Sequence, residues 1–269
     1  MTVAPNAQAI SRALASITRA KLAQAETLAA LNEAQAALEE ALRAPLAPNA
    51  PEVAPAGPAP VPEALAGLSD PKAFFDAMRA TKVLGPVLDA GEVSGCEAIL
   101  AACAGHMPTS WTAYALATAF LETAGTMQPI SEYGGPAYFR KMYDIEGARP
   151  DKARELGNLT PGDGVRFHGR GYVQLTGRRN YVKAGEELGV DLVADPEAAK
   201  RPDIAAGVMV RGMIEGWFTG KKLNDYIASN PDLKQFTAAR RIINGQDRAA
   251  DVAGYAMTFY AALKAGGWK

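Results

Sequence analysis

The sequence predicts a mainly α-helical protein, in which a globular helical domain with a cleft follows an N-terminal helix and a Pro-rich linker. Three observations lead there. From about Ala9 to Arg43 the chain is rich in Ala, Leu, Glu and Gln and has no Gly or Pro, a strongly helical composition. Residues 44–63, APLAPNAPEVAPAGPAPVPE, repeat Pro so often that neither helix nor sheet can form, which favours an extended, semi-rigid chain. From Ser69 onward, apolar residues recur at helical spacing between Gly and Pro breakers, and strand signals are scarce. The predicted organisation is a helix over 1–43, a linker over 44–68 and a globular domain over 69–269.

In the first helix Ile10, Leu14, Ile17, Leu28, Leu31, Leu38 and Leu42 keep a 4-3 spacing that Lys21, Gln24 and Gln35 interrupt. A coiled coil or partner-binding helix, with self-association through residues 9–43, fits this seam. A solvated single helix fits it equally well. In the globular part, a helix is expected over Pro71–Arg79 with Asp70 or Ser69 as cap. A second is expected over Ser94–Ala104, ended by Gly105, and a third over Ser110–Ala124, capped by Ser110 and ended by Gly125. Residues 126–170, rich in Gly, Pro, Asp and Tyr, read as a long irregular segment, which inside a compact domain is usually functional or disordered. Helical patterns return at Asn180–Leu188, Asp203–Trp217 and Arg248–Lys264.

Composition excludes several classes. The 28 Lys+Arg balance 29 Asp+Glu, so a global nucleic-acid footprint is missing. No apolar run is long enough to span a membrane, and the N-terminus lacks the apolar core of a signal peptide. A cytoplasmic protein is expected, released by another factor if its substrate is a cell wall. Cys96 and Cys103 lie two helical turns apart, about 10 Å along the axis, too far for a disulfide. Their apolar neighbours mark both as core residues, which weakens a Cys-His peptidase. Only His106 and His168 are present, so a His-rich zinc site is hard to build, and no metal or cofactor is expected.

Glu122, in ATAFLETAG, is predicted at the C-terminal end of a helix. The helix dipole there, and burial against Phe120 and Leu121, disfavour the charged form, as a general acid requires. Glu132, in MQPISEYGG, follows in a turn-rich segment that can fold back toward the same cleft. Two carboxylates across a glycosidic bond are what hydrolysis needs, one as acid and one as base for water. Either Glu alone also reads as an ordinary surface residue.

The stretch GNLTPGDGVRFHGRGYVQLTGRRNY, from Gly157 to Tyr181, adds a motif: Gly169, Arg170, Gly171, Gln174, Leu175 and Thr176, then Asn180 and Tyr181. This stretch resembles the signature of family 19 chitinases and their phage endolysin relatives. ETAG at Glu122, FFDAMR and CEAILAAC upstream, and RRIINGQDR downstream resemble further family segments in the family's order, so the likeness covers roughly Ser69 to Lys269. It implies a lysozyme-like helical fold and glycoside hydrolysis without cofactor. Glu122 matches the general acid, Glu132 the general base and Thr176 the residue that helps hold the attacking water. Gln174, Asn180 and Asn244 match sugar-binding amides. Among the aromatics near the motif, Tyr133, Tyr138, Tyr143 and Tyr172 are candidates to stack on sugar faces, while Phe139 and Phe167 read as core. Arg170 is expected either to contact substrate or to form a structural ion pair. Many relatives have His directly before the acid, where this chain has Leu121. Plant members carry a further Arg after the Ile-Asn-Gly segment, for which Arg248 is a candidate.

The expected substrate is a polysaccharide of N-acetylated amino sugars. The phage-like spelling and the missing signal favour peptidoglycan over chitin. A lytic transglycosylase, which needs only Glu122, and a non-catalytic glycan-binding or virion protein remain the alternatives.

Overall fold

The computed structural model describes residues 65, 67–81, 83–85 and 87–269. The predicted helix over 1–43 and the linker up to residue 64 lie outside the described residues.

The described chain is mainly helical, as the sequence predicts. Helix α1 (Pro71–Ala80) opens on Asp70, whose side chain accepts from the Ala73 amide at 2.9 Å. Helix α2 (Ala90–Cys103) begins four residues before the predicted Ser94. A reciprocal capping box causes this: Asp89 accepts from the Glu92 amide at 2.7 Å, and Glu92 accepts from the Asp89 amide at 2.9 Å. Helix α3 (Thr109–Glu122) starts after Pro108 without a side-chain cap. Ser110 is not its cap; it lies inside the first turn, buried, with no partner for its hydroxyl among the described residues. The helix stops where Gly125 turns left-handed at φ +90° and its amide closes onto the Phe120 carbonyl at 2.8 Å.

Residues 126–170 are ordered and contain short elements. Strand β1 (Ile130–Ser131) pairs antiparallel with β2 (Arg170–Gly171), Ile130 opposite Gly171 and Ser131 opposite Arg170. Between them lie α4 (Pro136–Tyr143), α5 (Pro150–Leu156) and α6 (Asp163–Arg166). Two buried aspartates fold this segment onto itself. Asp144 accepts from the amides of Gly162 at 2.8 Å and Gly164 at 3.1 Å. Asp163 receives the guanidinium of Arg178 at 2.9 and 2.5 Å.

Helix α7 (Arg178–Leu188) leaves β2 through Gly177, where a side chain would meet the Leu156 backbone at 2.6 Å. Then follow α8 (Pro202–Glu215), α9 (Leu233–Ala239), a 3-10 turn over Arg240–Ile242, and α10 (Ala249–Ala265). Helix α9 has no counterpart in the predicted elements. The core centres on α3, whose Ala113, Ala115, Ala117 and Ala119 are fully buried and let α10 pack closely along it. Phe120 meets Tyr255 of α10 edge to face at 4.8 Å. Cys96 and Cys103 are free, and burial pushes the Cys103 thiol up to about 12 and Cys96 in the same direction, so neither is a nucleophile. No helix of the described residues is long and apolar enough to cross a membrane.

Leu65 and Leu68 are buried in this domain, and Leu68 pairs with Trp268. The folded domain therefore begins before the predicted boundary at Ser69, because both leucines are part of its core.

Candidate active site

Glu132 extends the β1–β2 pair by one residue, its amide donating to the Gly169 carbonyl at 2.8 Å. That register aims its carboxylate back at the GRG turn. The Gly169 amide donates to Oε2 at 3.2 Å, and the Tyr143 hydroxyl donates to Oε1 at 2.7 Å. Gly169 makes the approach feasible, since a Cβ there would stand 3.1 Å from Glu132 Oε2 and 2.9 Å from Gln174 Oε1. Burial pushes the Tyr143 hydroxyl above its ordinary value, and its bond to Glu132 pushes it the same way. It stays protonated and donates. Glu132 is thus fixed at both oxygens, each with a lone pair left for a further donor.

Beside Glu132 lies a cleft of about 270 Å³ lined by Tyr143, Gln174, Thr176, Asn180, Trp217 and Ile243, among others. Gln174 adopts a left-handed backbone at φ +55°, an uncommon conformation for a non-glycine residue and one that clusters at functional sites. Its amide nitrogen is engaged by the carbonyls of Gly171 at 3.1 Å and Ile130 at 3.3 Å, so its oxygen is the group left for a ligand. The Thr176 hydroxyl donates to the Gln174 carbonyl at 2.8 Å, which leaves its lone pairs as acceptors. Asn180 donates to the Thr176 carbonyl at 2.7 Å and keeps its side-chain oxygen. Asn244 is exposed, next to Ile243 of the cleft wall.

Glu122 is the last residue of α3, and its surroundings differ from the sequence expectation. Phe120 turns to α10 rather than walling the carboxylate. What faces Glu122 is Arg240, whose Nη1 donates to Oε1 at 2.6 Å while its Nε donates to the Asp247 carbonyl at 2.9 Å. Arg240 is 2% exposed, and its ion pair links Glu122 to the segment that carries Ile243 and Asn244. Arg248 does not serve here, because it is exposed and bonded to Asp251 at 2.9 Å.

Two expected substrate contacts are corrected. Tyr172 is 0% exposed and spends its hydroxyl on the Met127 carbonyl at 3.2 Å, so it has no ring face to offer a sugar. Arg170 is 5% exposed; its guanidinium bonds Glu197 at 2.8 Å, the Tyr181 hydroxyl at 2.9 Å and the Arg166 carbonyl at 3.0 Å. It is the structural ion pair. Phe139 and Phe167 are core residues, while Tyr133, beside Glu132, stands 86% exposed. Phe139 stacks on His168 at 4.2 Å, and burial holds His168 below its ordinary value. The side chains that sequence reasoning missed are Arg240, Lys183 and Trp217; Tyr143 was expected near the site as an aromatic, not as the donor to Glu132.

A helical domain with one carboxylate at a helix end and a second clamped beside a cleft that holds Gln174, Thr176 and Asn180 fits a class, the glycan-cleaving domains that work with paired carboxylates. The family model described as chitinase class I, glycoside hydrolase family 19, matches residues 105–253, more than half of the chain. The chain belongs to this family. Chitinase 11 of Oryza sativa subsp. japonica is 31% identical over 123 residues, which are 37% of this chain and 46% of that protein, so the chain spans about half the length of that relative. Among solved structures, chitinase C from Streptomyces griseus HUT6037 aligns at 20% identity and a TM-score of 0.41, covering 76% of this chain and 70% of its own. A bacterial family 19 chitinase aligns at 20% identity and a TM-score of 0.42, covering 76% and 96%.

Proposed function

We propose that this chain is an endo-acting glycoside hydrolase that cleaves β-1,4 bonds in polymers of N-acetylated amino sugars, with bacterial peptidoglycan as substrate and inversion at the anomeric carbon. The observation that carries the reading is the double clamp on Glu132, at the edge of a cleft holding Gln174, Thr176 and Asn180. Glu122 donates its proton to the glycosidic oxygen as the bond from that oxygen to C1 breaks. Glu132 takes a proton from the water whose oxygen bonds C1. The Thr176 lone pairs accept the other hydrogen of that water and so fix its orientation. Asn180, Asn244 and the Gln174 oxygen offer hydrogen bonds to the N-acetyl and hydroxyl groups. Arg240 sets the direction of the Glu122 carboxyl. Release to the wall by another factor belongs to the same reading. The names of the relatives point to chitin, which is the second reading for the substrate.

The test is digestion of purified cell walls and of chitin oligomers, followed by mass spectrometry and by proton NMR of fresh products. The expected products are reducing-end fragments that appear first as the α-anomer. Glu122→Gln is expected to lose about 10²–10⁴ in turnover while keeping its fold by circular dichroism. Products ending in 1,6-anhydro sugar would establish a lytic transglycosylase, and wild-type turnover by Glu122→Gln would remove Glu122 from the mechanism.

A further inference from the structure

Among the residues that line the cleft none is acidic, and two are lysines, Lys152 and Lys183. Their situations differ. The Lys152 ammonium is neutralised by Glu155 at 2.8 Å. Lys183, on α7, has Glu186 and Glu187 three and four residues on, the spacing at which helical ion pairs form. Glu187 is instead taken by Arg211 at 3.0 Å, and no described carboxylate pairs with Lys183. Its ammonium stands 5.0 Å from the centre of the Trp217 ring, and that ring is held in turn by a bond from its Nε1 to Glu215 at 2.7 Å. Asn180 lies one helical turn before Lys183 and reaches the same cleft, next to Thr176. Lys183 is exposed, so the fold sets on the cleft wall a solvent-facing cation whose contact with the described protein is an aromatic face rather than a carboxylate.

Resting on the glycosidase reading above, we propose that Lys183 on Trp217 is a subsite for a carboxylate carried by the substrate. The ring holds the ammonium through cation–π attraction, and its remaining N–H groups are free to donate. A carboxylate there makes a charge-assisted bond. Peptidoglycan supplies one, because the peptides on its lactyl groups carry carboxylates. Chitin is neutral and leaves Lys183 solvated, so the subsite acts by the difference between the two polymers.

The experiment compares kcat/KM of wild type, Lys183→Met and Lys183→Arg on two soluble probes, peptide-bearing muropeptide oligomers and N-acetylchitohexaose. Methionine keeps an apolar chain on Trp217 without the charge. The expected result is a loss in Lys183→Met about tenfold larger on the muropeptides than on the neutral oligomer, mainly in KM, with most of it restored by Lys183→Arg. Equal losses on both probes, or no loss on either, would overturn the subsite. Calorimetry in the Glu122→Gln background reads binding apart from turnover. Muropeptide binding that weakens about tenfold with Lys183→Met supports the subsite. Wild-type protein that binds muropeptides in this way but cleaves neither probe overturns the glycosidase reading and leaves the subsite standing.

Discussion

Arg240 joins two parts of the chain that lie 118 residues apart, since one guanidinium bonds both Glu122 at 2.6 Å and the Asp247 carbonyl at 2.9 Å. Its two engaged nitrogens diverge, and the ammonium of a lysine, a single nitrogen, cannot span both partners. Arg240→Lys is therefore expected to lose about 1–2 kcal/mol of stability. Arg240→Met, which leaves Glu122 without a counter-ion and the carbonyl without a donor, is expected to lose about 3 kcal/mol. Urea unfolding checks both, and an Arg240→Met protein as stable as wild type would show that the pair contributes nothing. The sequence made Glu122, Glu132, Gln174, Thr176 and Asn180 legible, because chemistry and motif spelling agree at those positions. It did not make Arg240 legible, because nothing local distinguishes it from Arg241, and only the packed domain decides that Arg240 turns inward while Arg241 stays exposed. Tyr172 was misplaced, and Arg170 was left between two readings, for a similar reason. The pair β1–β2 is two residues long, too short for alternation to reveal which side chains face the cleft.

At the scale of elements, the long helices α1, α2, α3, α7, α8 and α10 were legible from apolar spacing and breakers. Helices α4, α5 and α6 were not, with eight, seven and four residues respectively. Such helices carry too few turns to show a period and are not stable alone, so tertiary contacts form them. The contact between Asp163 and Arg178 is one of these, joining α6 to α7. Burial opposes the charge on Asp163, but the Arg178 hydrogen bonds and the Thr160 and Leu159 amides outweigh it and hold the carboxyl below its ordinary 3.8. The folded protein therefore binds this proton less tightly than the unfolded chain. The clamp contributes its full stability above about pH 4 and loses it as pH falls through the lower folded-state value. Wild type is expected to lose melting temperature between pH 5 and pH 2.5 more steeply than Asp163→Asn, which cannot titrate there. Parallel melting curves for the two proteins would refute the assignment.

For the molecule as a whole, the described domain closes its two ends on each other. The Asp70 amide donates to the Gly266 carbonyl at 2.9 Å, the Ser69 hydroxyl to the Gly267 carbonyl at 3.0 Å, and the Lys269 amide to the Gly67 carbonyl at 3.0 Å. Trp268 is inserted beneath this seam, its Nε1 donating to the Met107 carbonyl at 3.1 Å. Gly67 lies flat on the ring, where a Cβ would meet it at 2.5 Å. Leu65 and Leu68 are buried in the same core as the tryptophan. Removal of residues 1–63 leaves this closure whole, whereas removal of residues 1–71 strips the leucines, the seam hydrogen bonds and the cap of α1. The 64–269 chain is expected to keep its melting temperature within a few degrees, and about the same glycoside hydrolase activity. The 72–269 chain is expected to lose on the order of 3–5 kcal/mol, the scale of deleting large buried side chains. For a domain of this size that lowers the melting temperature by about 10 °C. Thermal unfolding of both chains by circular dichroism distinguishes the outcomes. A 64–269 chain that melts as early as 72–269 would mean that the closure contributes nothing and that residues before 64 stabilise the domain.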